Sequence, residues 1–314
     1  MTDQPTRAGF AAVIGAPNAG KSTLVNRLVG SKVSIVTRKV QTTRFPVRGV
    51  AMEGQAQIVL VDTPGVFTPR RRLDRAMVRA AWAGAEDADA VVHLVDAEAE
   101  IASLAKDATP AQHRGVEDTR TITEQLKKAS RLSILALNKI DAVKRDQLLA
   151  IADALFKTGV YSEVFMVSAE NGSGVADLKA RLGALMPEGH WLYPEDQTAD
   201  LPARLLAAEI TREKVYLRVH EELPYAAAVE TTAFEERQDG SARIEQTIYV
   251  ERESQRPIVL GKGGQTLKWI GQKSREELIE ILGRPIHLFL HVKVVEDWQN
   301  KRDFYRDTGL DFDV

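Results

Sequence analysis

The stretch Gly15-Ala16-Pro17-Asn18-Ala19-Gly20-Lys21-Ser22 limits what this chain can fold into more than any other feature. Residues 10–14 before it form an apolar run of strand length, and residues 23–29 after it carry apolar side chains at helical spacing. Strand, glycine loop and helix in that order, with G-x-x-x-x-G-K-S across the loop, make a phosphate-binding P-loop. The glycines let the backbone curl so that its N–H groups point inward as an anion nest, and the helix aims its positive end at the same place. Lys21 is expected to reach the β- and γ-phosphates and Ser22 to place its hydroxyl on Mg²⁺, with Thr23 opening the helix beside them. A plain glycine turn is the alternative, and an eight-residue match in this context weighs against it.

Strand-like runs at 57–61, 90–95, 132–137 and 164–167 alternate with helical patterns at 73–85, 117–130, 146–158 and 175–185. Residues 30–36 lead into a polar loop at 37–44, and residues 98–118 are expected to form a polar surface excursion. Continuous apolar strands between helices imply an α/β P-loop domain with a doubly wound, mostly parallel sheet. Such sheets bind ligands at the carboxyl ends of their strands, and each polar motif falls there.

Asp62-Thr63-Pro64-Gly65 ends one strand, with Val66 next. Asp62 is expected to hold Mg²⁺ through water, and the Gly65 N–H to face the γ-phosphate. Asn138-Lys139-Ile140-Asp141 ends another strand and selects the base. A buried carboxylate at Asp141 accepts from N1–H and the 2-amino group of guanine; adenine has no donor at either place and would leave it unpaired. Lys139 is expected along the base plane, with Asn138 tying loops together. Ser168-Ala169-Glu170 offers a backbone N–H to guanine O6. Thr43 is the candidate for the second Mg²⁺ hydroxyl, with adjacent Thr42 the alternate. Lys21, Thr43 and Gly65 are the expected catalytic set.

Composition excludes other classes. The 314 residues contain no cysteine, so disulfides and zinc–thiolate sites are out, and a reducing cytoplasm is the expected location. Neither a signal peptide nor an apolar run of membrane-spanning length is found. The net charge of −2 says nothing about nucleic acid by itself. Residues 252–275 do: Arg252, Arg256, Lys262, Lys268, Lys273 and Arg275 stand against Glu253 alone.

The proline-containing stretch 187–201 reads as a linker between a domain at 1–186 and a second at 202–314. Residues 201–219 form an amphipathic helix. Residues 226–234 and 242–250 alternate like paired strands around Asp239-Gly240. Gly261-Lys262-Gly263-Gly264 then leads into helical segments at 266–270 and 274–282, and 286–295 closes with a strand. Arg70-Arg71-Arg72 either meet RNA phosphate or are solvated.

The five motifs within residues 10–186 resemble those of the translation-factor-like GTPases. Val66 stands where Ras-like members often carry the glutamine that orients the attacking water, so this chain resembles the subgroup with a hydrophobic residue there, and slow unaided hydrolysis is implied. Asn18 resembles the asparagine that holds K⁺ beside the phosphates in some members; a loop hydrogen bond is its other role. The order α-β-β-α-α-β with G-x-x-G between helical segments resembles a small α+β KH domain of type II, whose loop lies against the backbone of about four nucleotides. Gly261, Lys262, Gly263 and Gly264 would then meet RNA, with Arg256, Lys268 and Lys273 around them; a glycine turn before a helix is the other reading.

The combination resembles the Era family of bacterial GTPases over residues 8–308, including Glu222-Leu223-Pro224-Tyr225, Val250-Glu251-Arg252-Glu253 and Trp298. That resemblance implies a GTP/GDP switch that binds single-stranded RNA near the 3′ end of 16S rRNA and acts in assembly and rRNA processing of the 30S subunit. It also implies a monomer, and peripheral contact with the inner face of the cell membrane, although no lipid-facing helix or lipidation signal accounts for the latter. A tRNA- or mRNA-binding regulator uses the same motifs. An ATP-dependent enzyme is disfavoured by residues 138–141.

Overall fold

The structure, a computed structural model, describes residues 5–37, 39–219 and 223–314. Met1–Asp200 with Asp313–Val314 cluster as one compact unit, and Leu201–Phe312 as another. Glu222, part of the family resemblance, lies outside the described residues.

In the first unit β1 (Arg7–Ile14) runs through the P-loop into α1 (Lys21–Val29). There follow β2 (Val47–Glu53), β3 (Ala56–Asp62), α2 (Arg72–Glu86), β4 (Ala90–Asp96), α3 (Ala97–Ala105), α4 (Pro110–Lys128) and β5 (Ser133–Asn138). Next come α5 (Arg145–Phe156), β6 (Tyr161–Met166), α6 (Val175–Leu185) and β7 (Ala199–Asp200). The sheet order is β6-β5-β4-β1-β3-β2-β7. Every neighbouring pair from β6 to β3 is parallel, and β2 is antiparallel to β3 and β7.

Successive side chains of β1 point to opposite faces, so Val13 joins one core layer and Ile14 the other. Leu24 and Leu28 of α1 and Leu178 and Leu182 of α6 cover the first face. Ala81 of α2, Ile122 of α4 and Leu148 of α5 cover the second. A doubly covered parallel sheet is therefore confirmed.

Three features differ from the sequence reading. It has no strand between 44 and 57, whereas β2 occupies that interval. Arg48 and Gly49 interrupt the apolar run there; a Cβ on Gly49 would lie 2.7 Å from a Val29 methyl, so glycine is needed where α1 crosses β2. The expected excursion at 98–118 is instead helical. Asp96 caps α3, and Thr109 with Gln112 forms a capping box ahead of Pro110 in α4. Residues 187–200, expected as a linker, are bound to the first unit. Gln57 Oε1 accepts from the N–H groups of Leu192 and Tyr193, Trp191 Nε1 donates to Gln55 O, and β7 pairs with β2.

The second unit contains α7 (Ala203–Arg218), a single turn α8 (Leu223–Ala226), β8 (Ala228–Glu236), β9 (Ala242–Val250), α9 (Arg256–Leu260), α10 (Gln265–Leu282), β10 (Ile286–Val294) and a short α11 (Asp303–Arg306). Its sheet order is β10-β9-β8. The β8–β9 hairpin turns at Asp239, whose carboxylate accepts from the Ser241 N–H at 2.9 Å, and at Gly240, φ 81°. β9 and β10 are parallel, so the chain between them must cross over, and α9, the glycine loop and α10 make that crossing. Val215, Ile248, Val250, Val259 and Ile270 form the core. The two helices of the crossover differ from the expected pair: 266–270 and 274–282 are one helix, and the partner helix precedes the loop. Gly271 leaves α10 unbroken and lies where a Cβ would stand 3.3 Å from Leu290.

Candidate functional site

The P-loop is held by contacts that exclude side chains at two glycines. A Cβ on Gly15 would lie 2.4 Å from Leu94 O, and one on Gly20 2.3 Å from Asn138 Nδ2. Gly20 also has φ 99°, a left-handed backbone natural to glycine. Lys21 is buried, and its ammonium donates to Gly15 O at 3.1 Å and Ala16 O at 2.9 Å. Burial pushes its pKa down to about 8, against the opposing charge of Asp62.

The Ser22 and Thr43 hydroxyls stand 2.8 Å apart, and 2.7 and 3.1 Å from Asp62 Oδ2. Asp62 Oδ1 is buried with no hydrogen-bond partner among the described residues. Burial raises the Asp62 pKa, offset by the Ser22 hydroxyl and the Lys21 charge. Two hydroxyls, a carboxylate and an orphaned buried oxygen fit a hard divalent cation with oxygen ligands. Thr42 is turned elsewhere: its hydroxyl stands 2.7 Å from that of Thr37 and donates to Lys39 O at 2.8 Å.

Thr63 turns its hydroxyl to Val13 O at 2.8 Å, away from the cleft. Gly65 passes so near Pro17 that a Cβ would lie 2.9 Å from its ring. The Val66 N–H donates to Gly15 O at 3.1 Å and its side chain belongs to the core, so no side chain orients water from that position. Asn18 is exposed at φ 64° and lines the cleft. Its amide takes no partner among the described residues, so the loop hydrogen bond is not made.

Asn138 ties the two halves of the site together. Its Nδ2 donates to Ala19 O at 2.7 Å and its Oδ1 accepts from the Ala169 N–H at 2.9 Å. The Ser168 N–H donates to Ser173 O at 2.9 Å. Two of the three backbone amides of Ser168-Ala169-Glu170, the stretch expected to offer one to guanine O6, are thus engaged within the protein, and the Glu170 N–H has no hydrogen-bond partner among the described residues. Asp141 sits in the turn Ile140–Ala142 and is exposed rather than buried, so burial of its carboxylate comes only with a bound base. Lys139 ion-pairs with Asp96 at 2.5 Å.

Sequence reasoning missed Asp74. Its Oδ2 accepts from the N–H groups of Arg70 and Arg71, and its Oδ1 accepts from Gln41 Nε2 at 3.2 Å. One carboxylate thus joins both loops that border the cleft. Asp118 on α4 is also raised, to about 6, by burial and by Glu117.

In the second unit Gly261 (φ 73°), Gly263 (φ 60°) and Gly264 (φ 77°) carry the loop between α9 and α10 through left-handed backbone. A Cβ on Gly261 would clash with Thr266 Oγ1 at 2.3 Å, whereas Gly263 and Gly264 face open space. Arg256, Lys262 and Lys268 are exposed and unpaired among the described residues, while Lys273 pairs with Glu276 at 2.7 Å. Two apolar neighbours were not anticipated: Ile258, 53% exposed one turn before the loop, and Trp269, under the Arg218 guanidinium.

A family model described as 50S ribosome-binding GTPase matches residues 10–139, and a KH domain model matches 222–299. The GTPase Era of Caulobacter vibrioides is 75% identical over the full length of both chains, and that of Maricaulis maris 63%. The chain belongs to the Era family of GTPases. A solved Era from Aquifex aeolicus bound to GDP and aluminium fluoride superposes with TM-score 0.86 at 37% identity, covering 97% of this chain and 99% of that one. An Era in complex with MgGDPNP and nucleotides 1506–1542 of 16S ribosomal RNA gives 0.85 at the same identity and coverage. Membership accounts for the pairing of a GTPase unit with a KH unit in one Era chain.

Proposed function

We propose that this chain is a Mg²⁺-dependent GTP-hydrolysing switch that binds single-stranded RNA near the 3′ end of 16S rRNA and assists 30S assembly. The convergence of Ser22, Thr43 and Asp62 beside Lys21 carries the nucleotide half of this reading. Magnesium bound there would neutralise charge on the β- and γ-phosphates. Ser22 and Thr43 supply its hydroxyl ligands, and Asp62 orients them. Lys21 exchanges its carbonyl partners for phosphate oxygens, and the Gly65 N–H faces the γ-phosphate. Asp141 and the Glu170 N–H read the guanine edge, and Asn138 keeps the base and phosphate loops in register.

With Val66 in the core, hydrolysis is slow unaided. A potassium ion held by Asn18 beside the phosphates would supply the charge that an arginine finger supplies elsewhere. The RNA half rests on the bare Gly263 and Gly264 with Arg256, Lys262 and Lys268, exposed and unpaired among the described residues, and on the relative solved with rRNA. The 30S subunit, the monomeric state and a peripheral membrane contact follow from the family resemblance. Analytical ultracentrifugation and vesicle co-sedimentation check the last two. No helix of the described residues is long and apolar enough to cross a membrane.

Crosslinking in cells, followed by sequencing of RNA bound to the GDPNP-loaded protein, tests the reading. Enrichment of the 16S 3′ end over the GDP form is expected. Predominant tRNA or mRNA would favour the regulator reading instead.

A further inference from the structure

We infer that Asp96 is a positioning residue for base recognition, holding the Lys139 ammonium so that the lysine stem is fixed before the nucleotide arrives. The inference rests on the reading of residues 138–141 as the guanine pocket.

Asp96 ends β4 directly opposite Asn138, which ends β5. Its two carboxylate oxygens do separate jobs. Oδ1 accepts from the Ala99 N–H at 3.1 Å and caps α3. Oδ2 accepts from Lys139 Nζ at 2.5 Å. A helix cap needs only one oxygen, and asparagine or serine supplies it as well as aspartate does. The charge and the second oxygen therefore serve Lys139.

The pair is only partly exposed, with 34% of the lysine and 19% of the aspartate side chain open, so solvent screens it less than a surface pair. The carboxylate is itself fixed by the first turn of α3, whose positive end favours it.

Lys139 is constrained at its other end too. Its backbone lies at φ 64°, ψ 34°, a left-handed conformation that a non-glycine residue keeps only where surrounding bonds impose it. Ala142 N donates to Lys139 O at 3.0 Å, and Ile140 N to Val167 O at 3.4 Å. With both ends held, the four-carbon stem forms a preset surface. A free lysine would instead lose its rotamer freedom when the base docks, which weakens binding. Asp96 also links α3 to the base loop.

A double-mutant cycle on GDP affinity tests this, with Asp96→Asn and Lys139→Met singly and together, and thermal melts to confirm folding. Asp96→Asn keeps the cap oxygen and removes the charge; Asp96→Ser is a second variant of the same design. If Asp96 acts through Lys139, either variant weakens GDP binding about tenfold in the parent, the loss expected for one charge-assisted contact. In the Lys139→Met background the further loss is less than about twofold. An equal loss in both backgrounds, or no loss in the parent, overturns the inference. Asp141→Asn is measured alongside with GTP and xanthosine triphosphate. A shift toward the xanthosine nucleotide upholds the base pocket on its own terms. An unshifted preference removes the pocket, and this inference with it.

Discussion

The nucleotide cleft of the first unit and the glycine loop of the second, both proposed as phosphate sites, are built by opposite means. Around the P-loop the two charged groups at the heart of the cleft are buried and bonded before any ligand arrives: Lys21 against two carbonyls, Asp62 against two hydroxyls. At the loop Lys262 is exposed and unpaired among the described residues, and Gly263 and Gly264 present bare backbone. Preorganised, desolvated groups give strong and specific contacts to one small ligand. Exposed cations give an attraction that is screened by salt and tolerant of sequence. The first arrangement grips a nucleotide; the second lets a strand lie down and leave.

The largest expected effect is at Lys21. Lys21→Ala removes a desolvated charge and should weaken GTP binding on the order of a hundredfold or more, with RNA binding measured without nucleotide unchanged. Isothermal titration with each ligand checks it; parent-like GTP affinity would mean that Lys21 does not touch phosphate.

The pH dependence separates the two regions next. Lys21 titrates near 8 in the free protein, and bound phosphate holds its proton on, so nucleotide binding takes up a proton above that pH. Affinity for GDP should be flat below pH 8 and fall by up to about tenfold per pH unit above it. Folding stability moves the other way: keeping this lysine charged in its buried site costs stability below about pH 8, and that cost is relieved as pH rises from about 8 towards 10.5, where the unfolded lysine still holds its proton. Titrations between pH 7 and 9.5 in two buffers of different ionisation enthalpy read both affinity and proton uptake. A flat profile would place the ammonium in solvent contact.

Potassium sharpens the contrast within the cleft. GTP hydrolysis should be several-fold faster in KCl than in NaCl of equal ionic strength, and Asn18→Ala should abolish the difference. Equal rates in the parent would reject the cation site. The smallest effect belongs to the exposed side. Lys262→Ala should weaken RNA binding only a few-fold, alike for all sequences, and flatten the salt dependence by about one unit of slope. A sequence-selective loss would give Lys262 a base contact instead of a phosphate one.

The same contrast explains what the sequence disclosed. The P-loop, Asp62 and residues 138–141 were legible because each is a contiguous run at a strand end, its chemistry written locally. Thr43 was the sequence choice with Thr42 the alternate, but what separates the two is visible only in the fold, where Thr42 turns to Thr37 and Lys39 and Thr43 to Ser22 and Asp62. Asp74 and Asp96 were missed because their partners Gln41 and Lys139 are distant in the chain and meet only in the folded protein. Residues 117–130 read as helical, but the helical character of the chain before 117 was missed, although Asp96 and Thr109-Pro110-Ala111-Gln112 are capping signals that could have disclosed it. Near the glycine loop, the exposure of Ile258 and the stacking of Arg218 on Trp269 carry no signal in the sequence, because both depend on how α9 and α10 pack in the fold.

The division of labour between the two regions is tested most directly by reshaping the loop alone. Gly263→Asp with Gly264→Asp adds two negative charges and two side chains to a surface that meets open space, at backbone angles aspartate tolerates better than most residues. One protein sample, its fold checked by circular dichroism, is titrated with single-stranded RNA of the 16S 3′-end sequence at several salt concentrations and then with GTP. RNA binding should be lost and GTP affinity unchanged. A folded variant that binds the RNA as tightly as the parent would contradict the assignment of the loop.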